Sequence, residues 1–269
     1  MVGTEPRDVA GINPRQDPGT VPIRVLASPR VGLCAQRNFG VDTLLSQERL
    51  DTSSFVAFFD DDFRADAGWL EACQDAMQAD RSLVGLTGQV LADGINGTGL
   101  AETDAIQYLA GTKPPMKHWA SGSETRDIDC TYGCNMAFRS TVFETCRFDE
   151  NLPLYGWQED RDFSAQAGCF GRVIYHPECK GVHLGVSSGR VSGLRLGYSQ
   201  IANAWYLVQK GTMTSRVGLR FVSRHLLANS LRSLWRSPRA DYPGRLTGNL
   251  KAIQDLTLGK CHPLRAADL

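Results

Sequence analysis

The chain contains no apolar run of transmembrane length, and its first residues lack a basic stretch followed by an apolar one. A cytoplasmic protein is the expectation. There is no CxxC pair among the eight cysteines. Cys130 and Cys134 stand four apart with no second ligand pair at zinc-site spacing, so reduced, mostly buried thiols are expected and a structural zinc is not. No internal repeat is visible. A glycine-rich, basic phosphate loop is also missing, which argues against a nucleotidyltransferase. The basic residues fall into no recognisable nucleic-acid motif, which disfavours DNA or RNA as a partner.

Nor is there any net charge: 29 Lys and Arg balance 29 Asp and Glu over 269 residues. That balance hides an asymmetry. Residues 186–269 hold 13 basic against 3 acidic side chains, leaving residues 1–185 acidic by the same margin. Such a basic region suits an anionic partner such as lipid head groups, or it is simply attracted to the acidic body. Apolar residues at 42% are enough for a substantial core.

Alternating strand and helix patterns predict an α/β fold with a mixed, mainly parallel sheet flanked by helices. Turn chemistry dominates residues 5–19, and Val21 to Leu26 reads as a short strand. A helix is expected from Gly32 to about Leu45, with Leu33, Arg37, Asn38, Val41 and Leu44 on one face. Asp66 is placed to cap a helix carrying Trp69, Leu70, Cys73, Ala76 and Met77 on its apolar side. Strands follow at 83–91, around Gly133 and at 172–175. Two glycine- and proline-bearing connections, 93–99 and 111–122, suit an acceptor pocket or a lid. A helix opens near Glu159 and stops at Gly168. The remainder reads as helical, interrupted at Pro238 and Pro243.

The most informative stretch is Phe55-Val56-Ala57-Phe58-Phe59-Asp60-Asp61-Asp62. An apolar strand running straight into three carboxylates is costly unless a cation compensates, and the carboxyl end of such a strand is where open α/β sheets bind ligands. A metal–phosphate site at the strand tip follows.

Three segments then carry a family likeness. Gly32-Leu33-Cys34-Ala35-Gln36-Arg37-Asn38-Phe39-Gly40, Phe58-Phe59-Asp60-Asp61-Asp62, and Gly133-Cys134-Asn135-Met136-Ala137-Phe138-Arg139 leading to Tyr155-Gly156-Trp157-Gln158-Glu159-Asp160 together resemble the family 2 glycosyltransferases of the GT-A fold. The resemblance spans about residues 20 to 185. It implies an inverting, metal-dependent transfer of a sugar from a nucleotide-diphosphate donor, UDP- or GDP-linked, to a saccharide or lipid-linked acceptor in polysaccharide or glycoconjugate synthesis. It implies Asp62 as the ligand of Mn2+ or Mg2+, with His183 as a further ligand or else a structural hydrogen-bonder. Asp60 falls on the ribose or base side, with Asp61 beside it. Asp160 takes the part of general base. Glu159 orients the acceptor or is an ordinary first-turn acid; Trp157 offers a sugar-stacking face or packs in the core. Arg37 contacts nucleotide or phosphate, or pairs with body acids, and Asn38 braces backbone. Arg190 and Arg195 close over the diphosphate, and Asp162 is structural.

The division expected is a catalytic domain over 1–185 and a helical basic extension over 186–269. Relative to the family pattern, the first strand–helix unit is missing, which leaves a non-catalytic relic or binding module of the same fold as the alternative. In the extension, Leu219, Phe221, Val222, Leu226, Leu227, Leu231, Leu234 and Trp235 interleave with Arg220, Arg224, Arg232 and Arg236. This suits a helix lying on an anionic membrane, peripheral on the inner face, or a helix packed on the body.

Overall fold

The computed structural model describes residues 2–3, 23–47, 50–95, 97–186, 192–235 and 240–269. The turn-rich stretch at 5–19, Arg190, Arg236 and Pro238 lie outside the described residues. Within them the chain is α/β, with a mixed sheet flanked by helices. Strands β1 (Val2–Gly3) and β2 (Leu26–Ala27) form a short parallel pair. The main sheet comprises β3 (Phe55–Phe59), β4 (Phe63–Ala65), β5 (Leu83–Asp93), β6 (Arg126–Asp127), β7 (Asn135–Arg139) and β8 (Arg172–His183). Its order is β3-β7-β5-β8-β4, with β6 also on β8.

The expected parallel predominance is not what the strand pairs show. In this sheet only β5 and β8 pair in parallel; β7 runs antiparallel between β3 and β5, and β4 and β6 lie antiparallel on β8. The physical reason is local. After β6 pairs beside the start of β8, the chain climbs back and enters β7 from the turn at 132–135, level with the end of β3, so β7 must run back down between β3 and β5. Strands β3, β5 and β8 therefore end, and β7 and β4 begin, at one rim of the sheet.

Strand β8 is far longer than the 172–175 segment expected. It persists through Pro177 because the register to β5 jumps there, from Gly88↔His176 to Val90↔Gly181, so the proline sits in a bulge where no ladder amide is required. Its far end brings His183 alongside Asp93 in register. Just beyond, the two backbones touch: a side chain on Gly185 (φ +69°) would meet the Gly94 carbonyl carbon at 2.3 Å, and Gly94 N–H donates to His183 O at 2.9 Å. Glycine at both positions lets the strands leave the sheet together.

Helices α1 (Leu33–Ser46), α4 (Glu159–Ala167) and α5 (Gly193–Lys210) share a core with one face of the sheet. Phe163 of α4 stacks on Phe148 with centroids 4.2 Å apart and meets Phe138 of β7 edge-on. On the other face, α2 (Trp69–Ala79) inserts Trp69, Cys73 and Met77 against Leu83, Leu86, Ala137 and Ile174. The alternation of Met136 and Phe138 against Ala137 in β7 divides that strand between the two cores. Asp66 does not cap α2 directly; its Oδ1 accepts from Gly68 N–H and closes the turn before the helix. Leu70 of α2 is exposed rather than packed. Helix α3 (Glu102–Leu109) covers the β5–β8 end. All eight cysteines are free thiols, five of them buried.

The C-terminal region folds onto this body. Ala204, Leu207 and Met213 enter the same core as Phe143 and Phe163, and Lys210 Nζ bonds Asp149 and buried Asp162 at 2.6 and 2.7 Å. Asp162 also accepts from Thr212 and Gln166, so it holds the region in place. Helices α6 (Ser215–Ser233) and α7 (Tyr242–Thr257) complete a three-helix unit with α5. Pro243 does not interrupt a helix but starts α7, in its first turn, where the missing N–H costs nothing. No described helix is long and apolar enough to cross a membrane.

The three helices are pinned by a buried polar cluster. Asn229 Nδ2 donates to Gln200 Oε1 and Asn249 Oδ1, both at 2.8 Å, and Asn249 Nδ2 donates to Gly197 O at 2.6 Å. Truncating one member strands the others without water. Asn249→Ala should therefore lower unfolding free energy by about 2–3 kcal/mol, read as a reduced midpoint in urea denaturation.

Candidate functional site

The rim that collects the ends of β3, β5 and β8 also collects the carboxylates. Asp60, Asp61 and Asp62 leave β3; Asp93 ends β5; His183 ends β8. Ligand atoms of Asp60, Asp62 and His183 all lie within 4.8 Å of one another. Two carboxylates and one imidazole on a protected rim fit a divalent ion that accepts oxygen and nitrogen donors, Mn2+ or Mg2+ in character. Asp61, by contrast, is exposed, and its backbone carbonyl accepts from Arg64.

The protein meets part of this negative charge with its own cations. His183 Nε2 lies 3.3 Å from Asp62 Oδ1 and its Nδ1 lies 3.0 Å from Asp93 Oδ1. Burial works against the imidazolium, yet hydrogen bonds to Asp62 and Asp93 raise its pKa to about 10. Asp62 is opposed by burial too, but bonds from His183 and from Val186 N–H (2.8 Å) hold it below the usual carboxylate range.

Asp93 was not among the residues the sequence singled out; it reads there as the first residue of a flexible connection. The structure makes it the final residue of β5 and a hub. Tyr132 O–H donates to its Oδ2 at 2.8 Å, and His118 Nε2 stands 3.4 Å from the same oxygen. Because His118 Nδ1 accepts from Ala120 N–H, its Nε2 carries the proton and faces Asp93. Burial would raise Asp93, but bonds from His118 and His183 draw it well below the ordinary range. By accepting from His183 Nδ1, Asp93 fixes that ring's angle toward Asp62. The signal available in the sequence was its place at the end of a long apolar strand.

The second carboxylate pair sits beside the first. Arg37, buried on α1, reaches Asp60 Oδ1 at 3.1 Å and Glu159 Oε1 at 2.5 Å, and donates to Gly133 O at 2.8 Å. The Phe58 and Phe148 rings lie 5.7 and 5.3 Å from its guanidinium. Thus the ion-pair reading of Arg37 is the observed one. Gly133 N–H donates to Asp160 Oδ2 at 3.2 Å, and a side chain on Gly133 would strike Glu159 Oε1 at 2.6 Å. Only glycine lets the 130–135 segment pass between Arg37 and the Glu159-Asp160 pair.

Burial raises both acids. Glu159 is pushed up to about 8, with Arg37 pulling it down and Asp160 adding to the rise. Asp160 is raised by burial against bonds from Arg161 and Gly133 N–H. Among the described residues Glu159 Oε2 is buried without a hydrogen-bond partner, the oxygen that Arg37 does not approach in the ion pair. Trp157 packs against α6: its ring is 5.9 Å from Phe221 and 5.3 Å from His225, both edge-on, and its carbonyl accepts from Asn203. Asn38 braces backbone, exchanging bonds with Phe148 at 2.9 Å each way. Arg195 Nη2 donates to Ala267 O at 3.1 Å. Arg190 lies outside the described residues.

No family model matches the sequence. No curated protein sequence matches it either. Among solved structures the chain is similar to the crystal structure of GalNAc-T7 with UDP, GalNAc and Mn2+, at TM-score 0.41 and 15% identity. The match covers 75% of this chain and 43% of that chain, so this chain spans less than half of its length. Roles for the site residues therefore rest on distances within this chain.

Mn2+ alone should raise the melting temperature, and Asp62→Ala should abolish the rise. Asp93→Ala keeps all three candidate ligands but frees the His183 ring. It should weaken Mn2+ binding by about 10–100-fold, measured by Mn2+ titration followed by electron paramagnetic resonance. Unaltered affinity would remove Asp93 from the site.

Proposed function

We propose that the chain is an inverting, metal-dependent glycosyltransferase that moves a sugar from a nucleotide-diphosphate donor, UDP- or GDP-linked, to a saccharide or lipid-linked acceptor. The observation that carries the reading is the junction at Arg37: one buried guanidinium joins Asp60 of the metal-fitting group to Glu159, next to Asp160. Leaving-group charge and acceptor hydroxyl need two separate carboxylate sites held a fixed distance apart, and that is the arrangement present.

In this reading Asp60, Asp62 and His183 hold a divalent ion, which supplies neutralisation of the departing diphosphate. Asp160 takes the proton from the acceptor hydroxyl as that oxygen bonds the anomeric carbon and the carbon–phosphate-oxygen bond breaks. Its elevated pKa suits a base working near neutrality. Glu159 accepts from an acceptor hydroxyl through its unpartnered Oε2. Arg37 keeps both carboxylate sets in register and does not touch the donor.

Residues 1–185 form the catalytic domain on this view, and 186–269 its basic helical extension. The outer face of α6 supports a membrane role for that extension. Leu219, Leu227, Leu231, Leu234 and Trp235 are exposed there beside exposed Arg216, Arg220 and Arg224, and α6 contains no acidic residue. Apolar side chains among unopposed cations fit an anionic bilayer, where lipid-linked acceptors reside. The inner face of the same helix packs on the body through Val217, Val222 and Phe221, which leaves the outer face for the membrane role proposed.

With a donor screen covering UDP- and GDP-sugars, transfer or slow donor hydrolysis is expected in the presence of Mn2+. Asp160→Asn should lower kcat by about 10²–10⁴ while leaving donor-induced stabilisation intact. The acid limb of kcat/KM should lie above the ordinary aspartate range, because burial raises Asp160. Donor binding without turnover in the wild type would favour the non-catalytic alternative. Sedimentation with phosphatidylglycerol vesicles, but not with phosphatidylcholine, is expected for the wild type and should be lost in Leu231→Glu with Trp235→Glu; equal sedimentation with both lipids removes the charge-dependent membrane role.

A further inference from the structure

Several arginines of the body are matched to acceptors: Arg30 to Glu150, Arg37 to Asp60 and Glu159, Arg64 to Glu102, Arg147 to Asp42, Arg172 to Asp80 and Asp127, and Arg139 to backbone carbonyls. Arg161, Arg224 and Arg245 form no ion pair with a carboxylate among the described residues; Arg161 Nε donates to Gln158 Oε1 at 3.0 Å, and the Arg245 guanidinium lies 5.2 Å from the Tyr242 ring centroid. These three gather around one aromatic group. Arg161 lies 5.4 Å from the Phe221 ring centroid, Phe221 stacks near His225 at 6.1 Å, and both meet Trp157. Arg224 and Arg245 bear on His225, and Arg245 also bears on Tyr155.

Three separate elements supply this face: the 155–161 segment that carries Asp160, helix α6, and helix α7. None of its side chains is sealed from water, and Tyr155 and Arg224 are exposed. Arg245 Nε is shielded and has no hydrogen-bond partner among the described residues. Burial and the two neighbouring guanidiniums push His225 down to about 4, so the imidazole adds a neutral edge and no charge. Three guanidiniums with no ion-paired carboxylate, set beside aromatic rings, present planar donors and positive charge that an anion can share. The donor diphosphate has its counter-charge elsewhere, in the ion that Asp60, Asp62 and His183 fit.

We infer that the face formed by Tyr155, Trp157, Arg161, Phe221, Arg224 and Arg245 binds the phosphate group of a phosphate-bearing acceptor, with the rings of Trp157 and Phe221 against its uncharged part. Planar guanidiniums present paired donors that match phosphate oxygens. The assignment rests on the transferase reading, since it takes the side of the site next to Asp160 to be the acceptor side. The phosphate can belong to a soluble sugar phosphate or to a lipid-linked one.

The test uses the full chain without metal or donor, so its outcome is independent of the Mn2+ and turnover measurements. Glucose 1-phosphate, glucose and glucuronate are titrated against tryptophan fluorescence. Saturable binding of glucose 1-phosphate alone is expected, weakened about tenfold or more by Arg161→Gln and by Arg224→Gln. The exposed position of Arg224 keeps that variant folded, and urea midpoints verify both. Vesicles of phosphatidylcholine carrying a polyprenyl phosphate give the second arm. Retention that Arg161→Gln abolishes assigns the lipid-linked source, and binding of the soluble sugar phosphate alone assigns the other. No saturable binding of either, affinity unchanged in both variants, or glucuronate bound as tightly as the phosphate overturns the inference.

Discussion

Arg37 is the constraint on which the rest of the site depends. A permanently charged guanidinium sits inside the protein, and leaving such a charge unpaired would cost about 3–5 kcal/mol. Its position therefore requires Asp60 on one side, Glu159 on the other and the Gly133 carbonyl between them. That requirement fixes the spacing of the strand that ends in three aspartates and the helix that begins with two acids. Phe58 and Phe148 confine the cation, and Asn38, one residue along α1, clamps the Phe148 backbone. Core packing and site geometry are thus one problem solved by one side chain.

Around that pair the electrostatics divide into two compartments. On the Asp62 side, His183 and Asp93 form a line of alternating charge, anchored further out by Tyr132 and His118. His118 comes from the 111–122 connection, so a segment that looks like a free loop in sequence is tied to the inner rim. On the Asp160 side, burial lifts both acids and leaves Glu159 Oε2 unmatched. One compartment sets its carboxylates against an imidazole, and the other holds two acids that burial raises.

Much of this was legible in the residues. The apolar strand running into Asp60, Asp61 and Asp62 gave the rim, and helix-period spacing placed Arg37 and Asn38 on a buried face. The run from Tyr155 to Asp160 marked a helix start rich in acid. Three things were hidden for physical reasons. Asp93 is followed by glycine and asparagine, so local turn chemistry masked a residue whose meaning comes from a neighbour 90 positions away. The extent of β8 was concealed by Pro177, whose cost vanishes only because a bulge happens to lie there. The parallel predominance failed because strand direction depends on where the chain re-enters the sheet, and no local periodicity records that. The basic C-terminal region showed its charge in sequence but not its two faces, which depend on which side α5 and α7 cover.

The reversed strand β7 has a consequence for what backbone can offer at the rim. Strands that end at a rim bring side chains and carbonyls to it; a strand that begins there is preceded by a turn whose amides are unspent. Gly133, in that turn, gives its N–H to Asp160 and its carbonyl to Arg37, serving an anion and a cation from a single peptide neighbourhood. A sheet of uniform direction would need a loop from outside to do both. Here the polarity of the chain itself wires the two compartments together.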